Sequence, residues 1–210
     1  DYWRQQLHGL PVLDLPTDRP RPAIQSYNGA RYSFEITPEL SEAVDALAHE
    51  QRVTKFMTLL AAFQTLLHRY SGQDDIVIGT PIAGRTRLET ESLIGLFVNT
   101  LVLREDLSGD PDFRELLRRV RETAFAAYAH DDVPFEKLVE QLQPERDLSR
   151  TPLFQVGFVL QNDPLQSLEV PGLKLDQIPV DTGTAKFDLL LAIVEEPHGL
   201  RGWMEYNTDL

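Results

Sequence analysis

The segment Asp75-Ile-Val-Ile-Gly-Thr-Pro-Ile-Ala-Gly-Arg85 is the one around which the rest of the chain is expected to fold. Its apolar run, 76–78, is unbroken and is closed by Gly79, Pro81 and Gly84. A short, continuous apolar run of this kind is typical of a strand that is buried on both faces. We therefore expect a core strand that ends in a rigid loop.

A second apolar run, Phe97 to Leu103, is interrupted by Asn99 and Thr100. Polar groups inside a core strand need hydrogen-bond partners. Asn99 could orient a substrate amide or tie two strands together at a bulge, and the sequence favours neither interpretation. The polar loop at 85–92 is longer than a hairpin requires, and ordered loops beside core strands often carry function.

Hydrophobic periodicity predicts the other elements. N-cap residues Thr37, Thr54 and Asp112 precede three helices with apolar stripes, and a fourth helix follows Pro134. Alternation predicts strands at 31–36, 153–161, 187–194 and 199–206, with a short strand near 173–178. The order is strand, two helices, two strands, two helices and several strands. This order predicts an α/β fold, a layered α/β sandwich with a mixed sheet.

The predicted strand at 153–161 alternates cleanly. One face is predicted to hold Phe154, Val156, Phe158 and Leu160. The other face would then hold the small Gly157 and the polar Gln161.

The bulk composition excludes several classes of protein. The chain has 210 residues, a net charge of −13 and no cysteine. An acidic surface disfavours nucleic acid and anionic membranes. No run is long enough to span a membrane, and the lack of cysteine favours a cytoplasmic setting without disulfides or thiolate metal sites. The first residues read as a helix already under way and the last as a strand cut short, so we expect a piece of a longer polypeptide.

The chain contains no self-sufficient catalytic motif. There is no metal-binding histidine pair, nucleophile elbow or phosphate-binding glycine loop. His130 and Asp131 could form an acid–base dyad. The favoured interpretation is structural: His130 meets the last carbonyls of one helix, and Asp131 or Asp132 caps the next.

Two charged clusters have structural interpretations that we favour. A polar group beside the 153–161 strand is expected to hold two segments together through an ion pair; its members are Arg146, Asp147, Ser149 and Arg150. Four arginines share one helix surface: Arg114, Arg118, Arg119 and Arg121. A solvated helix surface is favoured over a docking patch for an acidic partner.

Together these stretches resemble the condensation domains of nonribosomal peptide synthetases. The matching stretches are Ile78–Arg85 (Gly-Thr-Pro-x-x-Gly-Arg), Ile94–Thr100 with Arg104 (Ile-Gly-x-Phe-Val-Asn-Thr), His130–Glu136 (His-Gln-Asp-x-Pro-Phe-Glu) and Arg146–Leu153 (Arg-Asp-x-Ser-Arg-x-Pro-Leu). Asp131 departs from the family by replacing glutamine. The likeness extends over the whole chain.

The resemblance implies a chloramphenicol-acetyltransferase-like fold, of which residues 1–210 would be the C-terminal lobe. The family's His-His-x-x-x-Asp-Gly motif does not occur in this sequence. The full domain would form an amide bond between a donor acyl or peptidyl thioester and an acceptor aminoacyl thioester. Both reactants would be carried on the phosphopantetheine arms of peptidyl carrier proteins, with no cofactor bound directly.

The same resemblance assigns expected partners and roles. The partners would be the N-terminal lobe, carrier proteins and an adjacent adenylation domain, and the lobe alone is expected to be inactive. The tunnel side would be formed by Gly79, Thr80, Pro81, Gly84, Arg85, Gly157 and Gln161. Supporting roles would fall to Asn99, His130, Asp132, Pro134, Phe135, Arg146, Asp147, Ser149 and Arg150. No residue of this lobe is expected to be catalytic or to bind a metal.

Two alternatives remain open at this point. The chain could be a docking or scaffold module for carrier proteins, which tight carrier binding without a second lobe would favour. It could also be a lobe of a coenzyme A-dependent acyltransferase of the same superfold. Only the upstream sequence would separate that enzyme from a synthetase domain.

Overall fold

The fold is taken from a computed structural model of the chain, which describes residues 1–84, 89, 93–143, 147–161, 180–196 and 199–210. The helices are α1 (Tyr2–Gln6), α2 (Pro38–Gln51), α3 (Lys55–Ser71), α4 (Phe113–Tyr128) and α5 (Phe135–Leu142). The strands are β1 (Gly29–Ile36), β2 (Asp75–Ile82), β3 (Asn99–Asp106), β4 (Val156–Gln161), β5 (Leu189–Glu196) and β6 (Gly199–Asn207). This order confirms the predicted α/β class. The short strand predicted near 173–178 lies outside the described residues.

The six strands form one mixed sheet in the order β1-β6-β5-β4-β2-β3. The pairs β2–β4 and β4–β5 are parallel, and the other three pairs are antiparallel. Strand β2, between β4 and the edge strand β3, is buried as its apolar run predicts, since Ile76, Val77 and Ile78 are at most 1% exposed.

The long helices pack on one face of the sheet. On β4, the ring of Phe158 lies between Phe56 and Phe63 of α3, with centroids 5.3 and 6.0 Å away. On β3, Glu105 accepts a hydrogen bond from Thr123 of α4 at 3.0 Å. These contacts identify the face that α3 and α4 cover, which is called the helix-covered face below.

The predicted helix starts are confirmed. The side chains of Thr37, Thr54 and Asp112 each accept the backbone N–H three residues further along the chain. Each cap satisfies an N–H that has no partner within the helix.

The sheet face opposite α3 and α4 is partly covered by the amino-terminal segment, which includes α1. Trp3, Leu7 and Leu13 are buried in the core. Trp3 Nε1 donates to the carbonyl of His130 at 3.0 Å. Arg104 of β3 donates to two carbonyls at the end of α1, at 2.8 and 2.9 Å. The segment is thereby held against β3 and the loop that follows α4.

The predicted side-chain direction of Phe154 is wrong. The strand begins at Val156, and Phe154 precedes it in a tight turn, in which Phe154 N–H donates to the Pro152 carbonyl at 2.9 Å. Leu153, between them, has a φ of 68°. The ring of Phe154 therefore lies over Gly79, on the face opposite Phe158. Period-two alternation holds only within a regular strand, and the turn breaks it.

Candidate functional site

A cleft of about 340 Å³ opens at the end of β2 and the start of β3, which are neighbours in this antiparallel pair. It is lined by Gly84 and by residues 96–100, 131–132 and 134–136. Three stretches that are distant in sequence therefore meet at one place. They are the loop after β2, the segment that enters β3 and the loop between α4 and α5. Concave sites of this size hold small molecules or parts of larger ones.

Asn99 is the residue that holds these stretches together. Its amide nitrogen donates to the carbonyls of Asp131 and Val133, both at 2.9 Å. Its oxygen accepts the backbone N–H groups of Thr100 at 2.8 Å and of Phe135 at 3.0 Å. Two donated and two accepted bonds use the full capacity of the amide. Asn99 therefore connects β3 to the α4–α5 loop, rather than two strands at a bulge.

The prediction that Asp131 or Asp132 caps α5 is wrong. The N-cap position is Pro134, which makes no side-chain capping bond. The first N–H of the helix, that of Phe135, goes to Asn99 Oδ1 instead. A cap supplied by a residue from another element leaves no local sequence signal, and Asp131 and Asp132 line the cleft.

The backbone conformation at position 84 requires glycine. Its φ is 63°, and a Cβ there would lie 1.9 Å from the carbonyl oxygen of Phe97. Only glycine combines a left-handed conformation with so close an approach. The loop after β2 can thus run against the segment that enters β3. Arg85, the next predicted tunnel residue, lies outside the described residues.

Gly79 and Gly157 are register partners across the parallel β2–β4 pair. A Cβ on Gly79 would lie 2.2 Å from ring carbons of Phe154, and one on Gly157 would lie 2.8 Å from Leu190 and 3.2 Å from Phe187. The space above both glycines is therefore filled by aromatic and leucine side chains. That Gly157 borders a passage stays a prediction.

The other predicted tunnel residues are spread out. Thr80 is 2% exposed and shares its side of β2 with Ile78, so it faces the helices. Pro81 is exposed on the opposite side. Gln161 is exposed at the end of β4 and does not line the cleft.

His130 is held at the end of α4. Its Nδ1 lies 2.8 Å from the carbonyl oxygen of Ala126, and its ring stacks on Tyr2 with centroids 4.2 Å apart. Burial raises the pKa of the Tyr2 hydroxyl. Within the described ranges, no hydrogen bond or ion pair joins His130 to Asp131, so the two do not form a dyad in this structure.

The polar group before β4 forms a local turn. Asp147 Oδ1 accepts the backbone N–H of Ser149 at 2.8 Å and its hydroxyl at 2.6 Å. These two bonds hold the pKa of Asp147 below its usual value. The Asp147–Arg150 ion pair, at 3.4 Å, spans three residues within the turn. That an ion pair of this cluster joins two segments stays a prediction. Arg146 lies outside the described residues.

The arginines on α4 are mostly neutralised by nearby glutamates. Arg118 pairs with Glu115 at 2.7 Å and Glu122 at 2.6 Å, and Arg119 also pairs with Glu115. Arg114 pairs with a glutamate at the end of α2. This arrangement is that of a solvated helix surface.

The described part of the cleft combines backbone and apolar side chains with the polar side chains of Asn99 and Thr100 and the carboxylates of Asp131, Asp132 and Glu136. No cluster of potential metal ligands occurs among the described residues. No helix formed by the described residues is long and apolar enough to cross a membrane.

Sequence reasoning missed two contributors to the site. Thr100 lines the cleft, and Phe154 supports Phe135 in its wall with ring centroids 5.6 Å apart. The Thr-Pro-Leu stretch before Phe154 offered only a weak signal, a proline that disfavours regular strand.

Comparison with known proteins identifies the family. The condensation-domain family profile matches residues 1–210. A linear gramicidin synthase polypeptide of Brevibacillus parabrevis is 55% identical over 212 residues, which cover 100% of this chain and 4% of that protein. Malpinin synthetase of Mortierella alpina is 52% identical over 211 residues, with 100% and 3% covered.

A solved structure supports the same assignment. The X-domain from teicoplanin biosynthesis superposes with a TM-score of 0.92 at 32% identity, covering 100% of this chain and 48% of that one. The chain thus spans a small part of its curated relatives and about half of this structure. The profile match, the identity to synthetases and the shared fold together show that the chain belongs to the condensation-domain family of nonribosomal peptide synthetases.

Proposed function

We propose that this chain is the C-terminal lobe of a two-lobed condensation domain and forms one wall of its reaction tunnel. The full domain would join a donor acyl or peptidyl thioester to the amine of an acceptor aminoacyl thioester, with release of the donor's thiol. The observation that carries the proposal is the cleft, because three separate family motifs meet in it around Asn99.

The lobe would contribute orientation rather than proton transfer. Two tethered reactants that are held in one passage react as if at very high local concentration. His130 is engaged by Ala126 and Tyr2. The histidine motif of the family, which is absent from this sequence, would lie on the N-terminal lobe and would assist the attacking amine. The isolated lobe would then form no amide bond.

The partners follow from the same proposal. Carrier proteins would present both reactants on phosphopantetheine arms, an adenylation domain would lie next to the domain, and the setting would be cytoplasmic. A docking-only module is less well supported, because the arginines of α4 are occupied by glutamates. A coenzyme A-dependent enzyme would not account for the identity to peptide synthetases.

This chain contains no cysteine, so a cysteine introduced into it is the single thiol in residues 1–210. The test uses Thr100→Cys in the intact domain, to which a carrier protein with a bromoacetyl group on its pantetheine arm is added. We expect a covalent adduct at position 100, located by peptide mass spectrometry. The matched control is Ala62→Cys, on an exposed surface of α3. Equal labelling at both positions, or none at position 100, would refute the proposal.

A further inference from the structure

The turn before β4 holds a bulky residue in an unfavourable conformation. Leu153 has a φ of 68°, and the N–H of Phe154 donates back to the carbonyl of Pro152 at 2.9 Å. A three-residue turn with a positive φ at its centre is rare and strained for a residue with a branched side chain. Strain of this kind persists only where the surrounding structure imposes it, and it is concentrated at functional sites.

Because of the turn, the ring of Phe154 lies on the face of the sheet opposite Phe158, next to Phe135 of the cleft wall. There the ring occupies the space that Gly79 leaves by lacking a side chain. It is 2% exposed and packs between Phe135 and Phe187, with centroids 5.6 and 5.2 Å away. Regular alternation would have put Phe154 beside Phe158 instead.

Phe135 is the only neighbour in this aromatic group that lines the described cleft. Its backbone is fixed by Asn99, and its ring meets Phe154 edge-on at an interplanar angle of 62°. Edge-to-face contacts orient both rings. The ring of Phe135 is thus supported from behind by a residue that does not itself line the cleft.

We propose that Phe154 is a positioning residue: it sets the place of the Phe135 ring in the cleft wall and thereby the size of side chain that the cleft accepts. The part of this inference that concerns reactants rests on the proposed function. The part that concerns the Phe135 ring does not.

Phe154→Leu in the intact domain tests the proposal, with Phe63→Leu as its control. Phe63 is equally buried, at 2% exposure, but lies on the helix-covered face. The Phe135 ring would be labelled as 4-fluorophenylalanine, and its exposure would be read from the paramagnetic relaxation of the fluorine by a soluble gadolinium chelate. Condensation rates would be compared for carrier-bound amino acids with large and small side chains.

We expect the fluorine at 135 to become more exposed in Phe154→Leu and to stay unchanged in Phe63→Leu. The ratio of rates for large and small side chains should shift by roughly tenfold in Phe154→Leu alone. A purely structural role would lower both rates together. If Phe154→Leu does not fold, Phe154→Met retains most of the volume without the ring.

An unchanged fluorine exposure in a folded Phe154 variant would overturn the proposal, and so would equal changes in both variants. If the exposure of the fluorine changes but the rate ratio does not, the inference that Phe154 sets the size of the accepted side chain is overturned. If the unaltered domain forms no amide bond, the proposed function fails, and the fluorine measurement still decides the role of Phe154.

Discussion

The side-chain oxygen of Asn99 accepts the backbone N–H of Phe135 at 3.0 Å, across 36 positions of sequence. A strand residue thereby caps a helix to which it does not belong. The same amide holds the carbonyls of Asp131 and Val133. The position of the α4–α5 loop, and with it one wall of the cleft, thus depends on one side chain.

Asn99→Ala should destabilise the fold by about 2 kcal/mol, because it leaves several half-buried backbone groups without partners. The free energy of urea-induced unfolding measures this loss. Asn28→Ala, which removes an exposed bond to Asp209, is the control and should stay within about 0.5 kcal/mol of the parent. An unchanged stability of Asn99→Ala would show that its four bonds do not support the loop.

Gly79→Ala should destabilise the protein by about 1–3 kcal/mol, because the new methyl group would clash with the ring of Phe154. Phe154→Leu removes the ring and should relieve that clash. In a double-mutant cycle, the double variant should therefore lose less unfolding free energy than the two single variants lose in sum, by about 1 kcal/mol or more. Additive effects would mean that the two positions are not in contact.

Glu105 should make stability depend on pH. Burial between β3 and α4 raises its pKa from 4.5 to about 7, although Thr123 and Arg119 oppose this shift. The folded state then holds the proton more tightly than the unfolded state, so stability falls as the pH rises from about 4.5 to about 7. Glu105→Gln cannot ionise and should be more stable above pH 7, by an amount on the order of 3 kcal/mol.

Urea unfolding between pH 4 and pH 8 would measure this difference, which should vanish at the acidic end. The charges of Asp106 and Arg119 also affect the pKa of Glu105, and both residues are present in the parent and in Glu105→Gln. Glu140→Gln, on an exposed helix surface, is the matched control, and its profile should follow that of the parent. A constant difference between Glu105→Gln and the parent at all pH values would contradict the assignment.

Arg118→Ala should leave the unfolding free energy close to that of the parent, because its partners Glu115 and Glu122 lie on an exposed helix surface where solvent screens the ion pairs. The affinity of the intact domain for carrier proteins should also be unaffected, as measured by calorimetric titration. A large loss of affinity would restore the alternative interpretation of α4 as a docking patch.

The sequence predicted the parts of this fold that depend on local patterns. The apolar run at 76–78 predicted the buried strand β2, and the side chains of Thr37, Thr54 and Asp112 predicted three helix starts. These features need only neighbours along the chain.

The parts that failed depend on contacts between distant residues. The cap of α5 comes from Asn99, and the direction of Phe154 comes from a strained turn that fits it over Gly79. Neither leaves a periodic signal. The cleft itself was not predicted from periodicity, although the family motifs brought most of its residues into consideration.

The central claim is that this lobe shapes the passage but does not perform the reaction alone. The direct measurement is single-turnover condensation of loaded donor and acceptor carrier proteins, with amide product detected by mass spectrometry. Residues 1–210 alone should give no product above the rate without protein, and the intact two-lobed domain should give product. Product formed by residues 1–210 alone would contradict the account.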